Sequence, residues 1–238
     1  LHAPFNDVKI RRAVQMAVNQ ENYMRAVVGS DEKLWKKCPS FFTPGTELYS
    51  EAGGEIFKGS GNIEGAKKLL AEAGYKGQPV TCLVAQDNPF TKAMGEITAD
   101  ILKKIGMNVD FVATDWGTVG QRRASKNEPG KGGWSMFHTW HAGADTATIA
   151  GNVGVRANGE KAWFGWPTNA DVEKGVDGWF AAPNLEAEKA AIAATNKAAM
   201  DHVVYIPTGF FYSYQAWRKN VTGIVGGPLP WFAGVKKT

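Results

Sequence analysis

Three consecutive runs decide the fold: VTCLVA (Val80–Ala85), PFTKAMGEITADILKKI (Pro89–Ile105) and MNVDFVA (Met107–Ala113). The first and last are rich in β-branched and apolar residues, as strands are. The middle run places Met94, Ile97, Ile101, Leu102 and Ile105 on one helical face, and Gly106 stops it. A strand, a crossover helix and a second strand make a βαβ unit, so strands 80–85 and 107–113 are expected side by side and parallel.

Helices extend outward from this unit on both sides. Asn6 or Asp7 can cap a helix with Ile10, Ala13, Val14, Ala17 and Val18 on one face. Asn19 can cap a second that ends at Gly29, and Asn62 a third that ends at Gly74. Between them, Ser30–Gly61 is rich in Gly, Pro, Ser and Thr and reads as a long loop; loops of that length are usually functional or pinned to other structure. After Trp116 the sequence predicts a short helix to about Ser125 and a strand over Trp134–Trp140. It then predicts a helix around Val172–Phe180, weakened by Gly175 and Gly178, and an Ala-rich helix over Leu185–His202. Val203–Ile206 and Phe210–Tyr214 are β-prone, and the tail from Trp217, with its Gly-Gly-Pro and Leu-Pro-Trp steps, reads as extended.

Composition narrows the function. The 238 residues are 44% hydrophobic and 21% charged, ordinary for a packed fold. The net charge of +4 comes from scattered pairs such as Lys36-Lys37 and Arg122-Arg123. A nucleic-acid binder concentrates its charge on one stripe, so nucleic acid is not an expected partner. Cys38 and Cys82 are too few for a disulfide scaffold or a four-cysteine zinc site; a single bridge and two unrelated buried thiols both remain open. His138 and His141 are three apart at a strand end, where side chains alternate, so they read as hydrogen-bonding or cleft-lining groups rather than metal ligands. There is no Gly-x-Ser-x-Gly elbow and no phosphate loop. No cofactor, metal or catalytic residue is expected. What stands out is aromatic: of nine Trp, five (Trp116, Trp134, Trp140, Trp163, Trp166) fall within about fifty polar, Gly-rich residues.

An ordered set of motifs resembles the bacterial extracellular solute-binding proteins of family 5, the peptide- and nickel-binding components of ABC importers. It comprises Pro4–Asn19, Asn62–Tyr75, Ile101–Asp110, Asp115-Trp116, the strand ending at Trp140, Tyr205–Pro207 and Arg218–Gly223. The resemblance implies an α/β fold: a lobe of the type II periplasmic binding proteins, with a mixed sheet flanked by helices. It further implies a C-terminal lobe over residues 1–209 and an extended return segment over 210–238. That segment would cross a hinge to an N-terminal lobe of the same protein and lack its partner here. The implied setting is the periplasm, the implied partners a peptide or other small solute and a membrane permease, and the mechanism two-lobe closure without bond making.

For the site, the ends of the β-prone runs, where ligands gather in open α/β sheets, and the resemblance together point to Trp116, Arg123, Phe137, Trp140, His141 and Asp145. Two positions depart from the peptide-binding pattern. The acid expected three residues after the cleft tryptophan is Gly143, with Asp145 two further on, and the Arg of some oligopeptide binders is Phe137. A hydrolase with a Trp-lined cleft and an aromatic-faced interaction module are the competing readings.

Overall fold

The computed structural model describes residues 2–227 and 231–238. Among the described residues seven α-helices and seven β-strands follow one another along the chain. Helix α1 (Val8–Ala17) starts where the Asp7 carboxylate accepts from the Lys9 N–H, and it buries Ile10, Ala13, Val14 and Ala17. Helix α2 (Gln20–Val28) is capped by Asn19 and stopped by Gly29. Strand β1 (Trp35–Lys36) interrupts the long loop, and α3 (Ile63–Glu72), capped by Asn62, packs on α1.

The βαβ unit stands as the sequence predicts. Strand β2 (Pro79–Ala85) leads through α4 (Pro89–Lys104) to β3 (Asn108–Thr114), and the strands pair in parallel from Pro79↔Asn108 to Ala85↔Thr114. Helix α5 (Trp116–Arg122) follows, capped by Asp115. Strand β4 (Met136–Phe137) then joins the other edge of β2, also in parallel, giving the order β3-β2-β4. Alternation along β2 splits the core. Val80, Cys82 and Val84 face the main cluster with α1, α2 and α4, while Leu83 and Ala85 face a smaller one with Val119, Trp116, Trp134 and Phe137.

Helices α6 (Ala170–Phe180) and α7 (Leu185–His202) form a close pair. The glycine that weakens α6 as an isolated helix is what lets the pair form, because a Cβ at Gly175 would collide with Thr195. The chain leaves α7 through Val203, which takes a left-handed conformation (φ 55°). Its N–H and that of Val204 satisfy the last turn's carbonyls, so Val203–Ile206 is a helix exit and not the expected strand. Strand β5 (Phe210–Phe211) is shorter than expected and pairs antiparallel with β1.

Beyond Phe211 the chain has little to lean on. Strands β6 (Val221–Thr222) and β7 (Lys236–Lys237) form a small hairpin absent from the sequence reading. Tyr214 and Phe232 are 77% and 75% exposed, unusual for aromatic rings. The Gly-Gly-Pro and Leu-Pro-Trp steps fall partly on residues 228–230, outside those described. Both cysteines are free and buried. Cys38 Sγ faces the Ser40 carbonyl and Cys82 Sγ the Val80 carbonyl, and burial pushes each thiol up to about 12. No bridge pins the loop to the sheet.

Candidate functional site

Four stretches meet around one cavity of about 1260 Å³: residues 38–46 of the long loop, residues 134–147 in and beyond β4, residues 163–168, and the stretch from His202 to Tyr212. Strand β4 is short because the chain turns away after Phe137 to form this wall. Its outer end is held by Thr43, whose hydroxyl donates to the Gly143 carbonyl and whose N–H donates to the Thr146 carbonyl at 3.1 Å.

One wall is a closed ring of aromatic contacts. Trp134 meets Phe137 at 5.0 Å between centroids, Phe137 meets Trp163 at 5.7 Å, and Trp163 meets Phe164 at 5.2 Å. Phe164 meets Trp166 at 6.4 Å, and Trp166 returns to Trp134 at 6.3 Å. These separations suit offset and edge-to-face pairing. Three of the five rings come from a loop over residues 157–169. Its neck is closed by Asn169 N–H donating to Ala157 O and Gly159 N–H donating to Pro167 O, both at 2.9 Å. At its tip Gly165 (φ 109°) and Trp166 (φ 50°) turn the chain sharply, and the second is a costly conformation for an indole-bearing residue. Glu173 on α6 fastens the neck by accepting from Arg156 and from the Ala157 N–H at 2.7 Å.

The sequence candidates are distributed around this wall. Phe137 is part of the ring, and His141 packs on Trp163 at 5.4 Å. Trp140 lines the cavity and is 50% exposed, so its indole is not a core element. Trp116 and Arg123 sit behind the ring. The Arg123 guanidinium carbon lies 5.7 Å from the Trp116 centroid, 5.9 Å from Trp163 and 4.6 Å from Phe164. Its Nε is buried without a hydrogen-bond partner. Asp145 is exposed and does not line the cavity, but its charge reaches His141. Burial, aided by Arg123, lowers the His141 pKa, while Asp145 opposes the shift.

Sequence reasoning did not select Trp134, Trp163, Phe164 and Trp166 as site residues; the density of Trp was the available signal. It also missed a polar chain at the cavity's inner end. Tyr23 Oη lies 2.6 Å from Thr98 Oγ1, which lies 2.8 Å from His138 Nε2. The three groups form one hydrogen-bonded chain, and the other ring nitrogen of His138, Nδ1, is buried without a partner among the described residues. Burial lowers the His138 pKa to about 4. His138 and His141 therefore serve different neighbourhoods.

The fold is that of one lobe of the type II periplasmic binding proteins. A crystal structure of a dipeptide binding protein from Pseudoalteromonas in complex with Met-Leu superposes on the whole chain with a TM-score of 0.78 at 22% identity, over 46% of its own length. The chain belongs to the bacterial extracellular solute-binding proteins, family 5, whose middle region matches residues 1–151. A probable peptide ABC transporter periplasmic-binding protein of Sinorhizobium fredii is 33% identical over the full chain and 44% of its own length. The periplasmic oligopeptide-binding protein of Salmonella typhimurium is 31% identical over 56% of the chain and 25% of its own length. The chain thus spans less than half the length of these relatives.

Proposed function

We propose that this chain is the solute-capturing lobe of a periplasmic binding protein that serves an ABC importer. The reading is carried by one observation: a cavity of about 1260 Å³ walled by aromatic rings. That exceeds the roughly 300–1,000 Å³ of pockets for drug-sized molecules, leaving room for a peptide or a comparable organic solute. Trp140 offers a stacking face and His141 a polar group, Phe137 is buttressed by Trp116 and Arg123 behind the ring, and Asp145, outside the lining, acts through His141. A second lobe closes over the solute by a hinge motion, and a membrane permease receives it. In this reading residues 1–209 form the lobe and 210–238 the return segment, whose first two residues, Phe210 and Phe211, pair with Lys36 and Trp35. Among the described residues no helix is long and apolar enough to cross a membrane.

Mass spectrometry of the solute released by denaturing the full-length protein tests the proposal. An intact small molecule in near-stoichiometric amount is expected. A hydrolase would instead release fragments or nothing, and an interaction module would bring down a protein without any small molecule.

A further inference from the structure

The aromatic loop over residues 157–169 is hydrogen-bonded to itself. Gly159 N–H donates to Pro167 O and Trp166 N–H to Trp163 O, both at 2.9 Å, and Ala162 N–H donates to Gly159 O at 2.8 Å. Among the described residues, no hydrogen bond leads from residues 159–168 to a group outside the loop. Its neck, by contrast, is firm: Asn158 bridges Thr168, Ala157 is buried, and Glu173 on α6 accepts from Arg156 and the Ala157 N–H. The tip is held down by ring contacts alone, on Trp134, Phe137 and His141, with Arg123 and Lys126 against its rings. The one ion pair, Lys126 with Glu160 at 3.8 Å, is exposed and adds little. Such contacts are short-ranged and are lost together when the loop moves as a body, whereas its internal hydrogen bonds survive the motion.

The seated position carries two costs that lifting relieves. Trp166 sits at φ 50°, a conformation that persists only where its surroundings impose it. The other left-handed residue that is not glycine, Val203, closes a helix; Trp166 closes none, and its ring on Trp134 is what imposes the turn. Beneath the tip, Arg123 lies 4.6 Å from the Phe164 centroid with its Nε buried and unpartnered, and water reaches that donor once Phe164 moves away. Ring packing opposes both costs, so the seated and lifted arrangements are closely balanced. Trp163, Phe164 and Trp166 also line the cavity, so a solute stacked on them adds contacts to the seated arrangement alone and shifts the balance toward it.

We infer that residues 157–169 are a flap, hinged at its neck, that lifts from the empty cavity and is held down by the solute. The hold-down rests on the proposed capture function; the flap itself does not.

Distances between paired spin labels on the full-length protein, read by double electron–electron resonance, test it. Lys161→Cys on the flap and Ala190→Cys on α7 carry the labels, both at exposed positions; Lys103→Cys with Ala190→Cys is the control pair off the flap. Cys38 and Cys82 are buried, with thiols pushed up to about 12, and stay unlabelled. Stripped of solute by unfolding and refolding, the protein is expected to show two flap distances, the second in roughly a fifth of molecules or more, and one control distance. As purified, with its small molecule verified by mass spectrometry, the second population should fall at least threefold. Trp134→Ala, which removes the seat, should make the lifted distance the majority in stripped protein. Trp166→Asn removes the opposing ring yet suits a left-handed backbone, and it should do the same if Trp134→Ala fails to fold; melting temperatures verify folding. A single flap distance in the stripped protein and in the folded variants overturns the flap, and so does a second population that no folded variant enlarges. A second population that the solute does not reduce overturns the hold-down. Protein that carries no small molecule as purified overturns capture and the hold-down with it, and the flap is then decided by the stripped protein and the variants.

Discussion

Buried amides hold the long loop in place. Gln20 is fully buried; its Nε2 donates to the carbonyls of Cys38 and Pro207, and its Oε1 accepts from the Cys38 N–H. Asn196 does the same from α7, accepting from the Phe41 N–H at 2.9 Å and donating to the Ala52 carbonyl at 2.8 Å. Removing either side chain orphans two or more buried backbone groups. Asn196→Ala is expected to lose roughly 2–4 kcal/mol in urea denaturation, with near-native spectra at zero urea. A loss below 1 kcal/mol would show that water replaces it freely. His138 makes a second expectation. Its folded pKa of about 4 lies below the ordinary 6.5, so the fold favours the neutral ring. Stability is unaffected above pH 6.5, declines as pH falls below it, and has lost up to about 3 kcal/mol from this group by pH 4. His138→Gln should flatten that part of the stability–pH curve; a curve parallel to wild type excludes His138 as its source.

At the scale of elements, the aromatic loop depends on its neck. Burial works against the Glu173 charge, but the hydrogen bonds from Arg156 and the Ala157 N–H outweigh it and hold the carboxyl below its usual range. This contribution is complete above the ordinary carboxylate pKa and is lost as pH falls through the depressed one. Glu173→Gln is expected to lower stability at pH 7 by roughly 1–3 kcal/mol, less than for a fully buried pair because both partners are partly exposed. The difference from wild type should shrink near pH 3.

The contrast between elements shows what the sequence can disclose. Helix α4 was legible because its cap, its apolar face and its Gly stop all lie within one run. The aromatic ring was not, because residues far apart close it: Trp134 must find Trp166, and Arg156 must find Glu173. Gly175 looks like a defect until Thr195 is opposite it. Val203–Ile206 has strand-like residues, but the satisfied end of α7 takes precedence over propensity. The candidate site residues rest on strand ends, which place Trp116 and Trp140, together with a resemblance in motif order. Four of them, Trp116, Arg123, Phe137 and His141, share neighbours through Trp163 and Phe164, whereas Trp140 and Asp145 stand apart.

For the whole molecule, the core and the tail differ in how well they are held. Chymotrypsin is expected to cut this chain first between Tyr212 and Trp217, where the side chains are exposed and the backbone has little pairing. First cuts within the long loop would mean that its amide clasps are weaker than drawn. In the full-length protein, Trp140→Ala should weaken solute binding at least tenfold while changing stability by less than about 1 kcal/mol, since a half-exposed indole contributes little to the core. Calorimetric titration and melting together decide it. A large loss of stability with unchanged affinity returns Trp140 to a structural role.

The closed ring of contacts also makes the cavity visible to light. Trp134 and Trp166 lie 6.3 Å apart, with Trp163 linked to both through Phe137 and Phe164. Indoles that close share their excited states, so their near-ultraviolet ellipticity is a property of the ring and not of any one residue. A solute settling against this wall changes that signal without a label. A molecule that keeps its helices but loses its packing gives itself away by losing this band first.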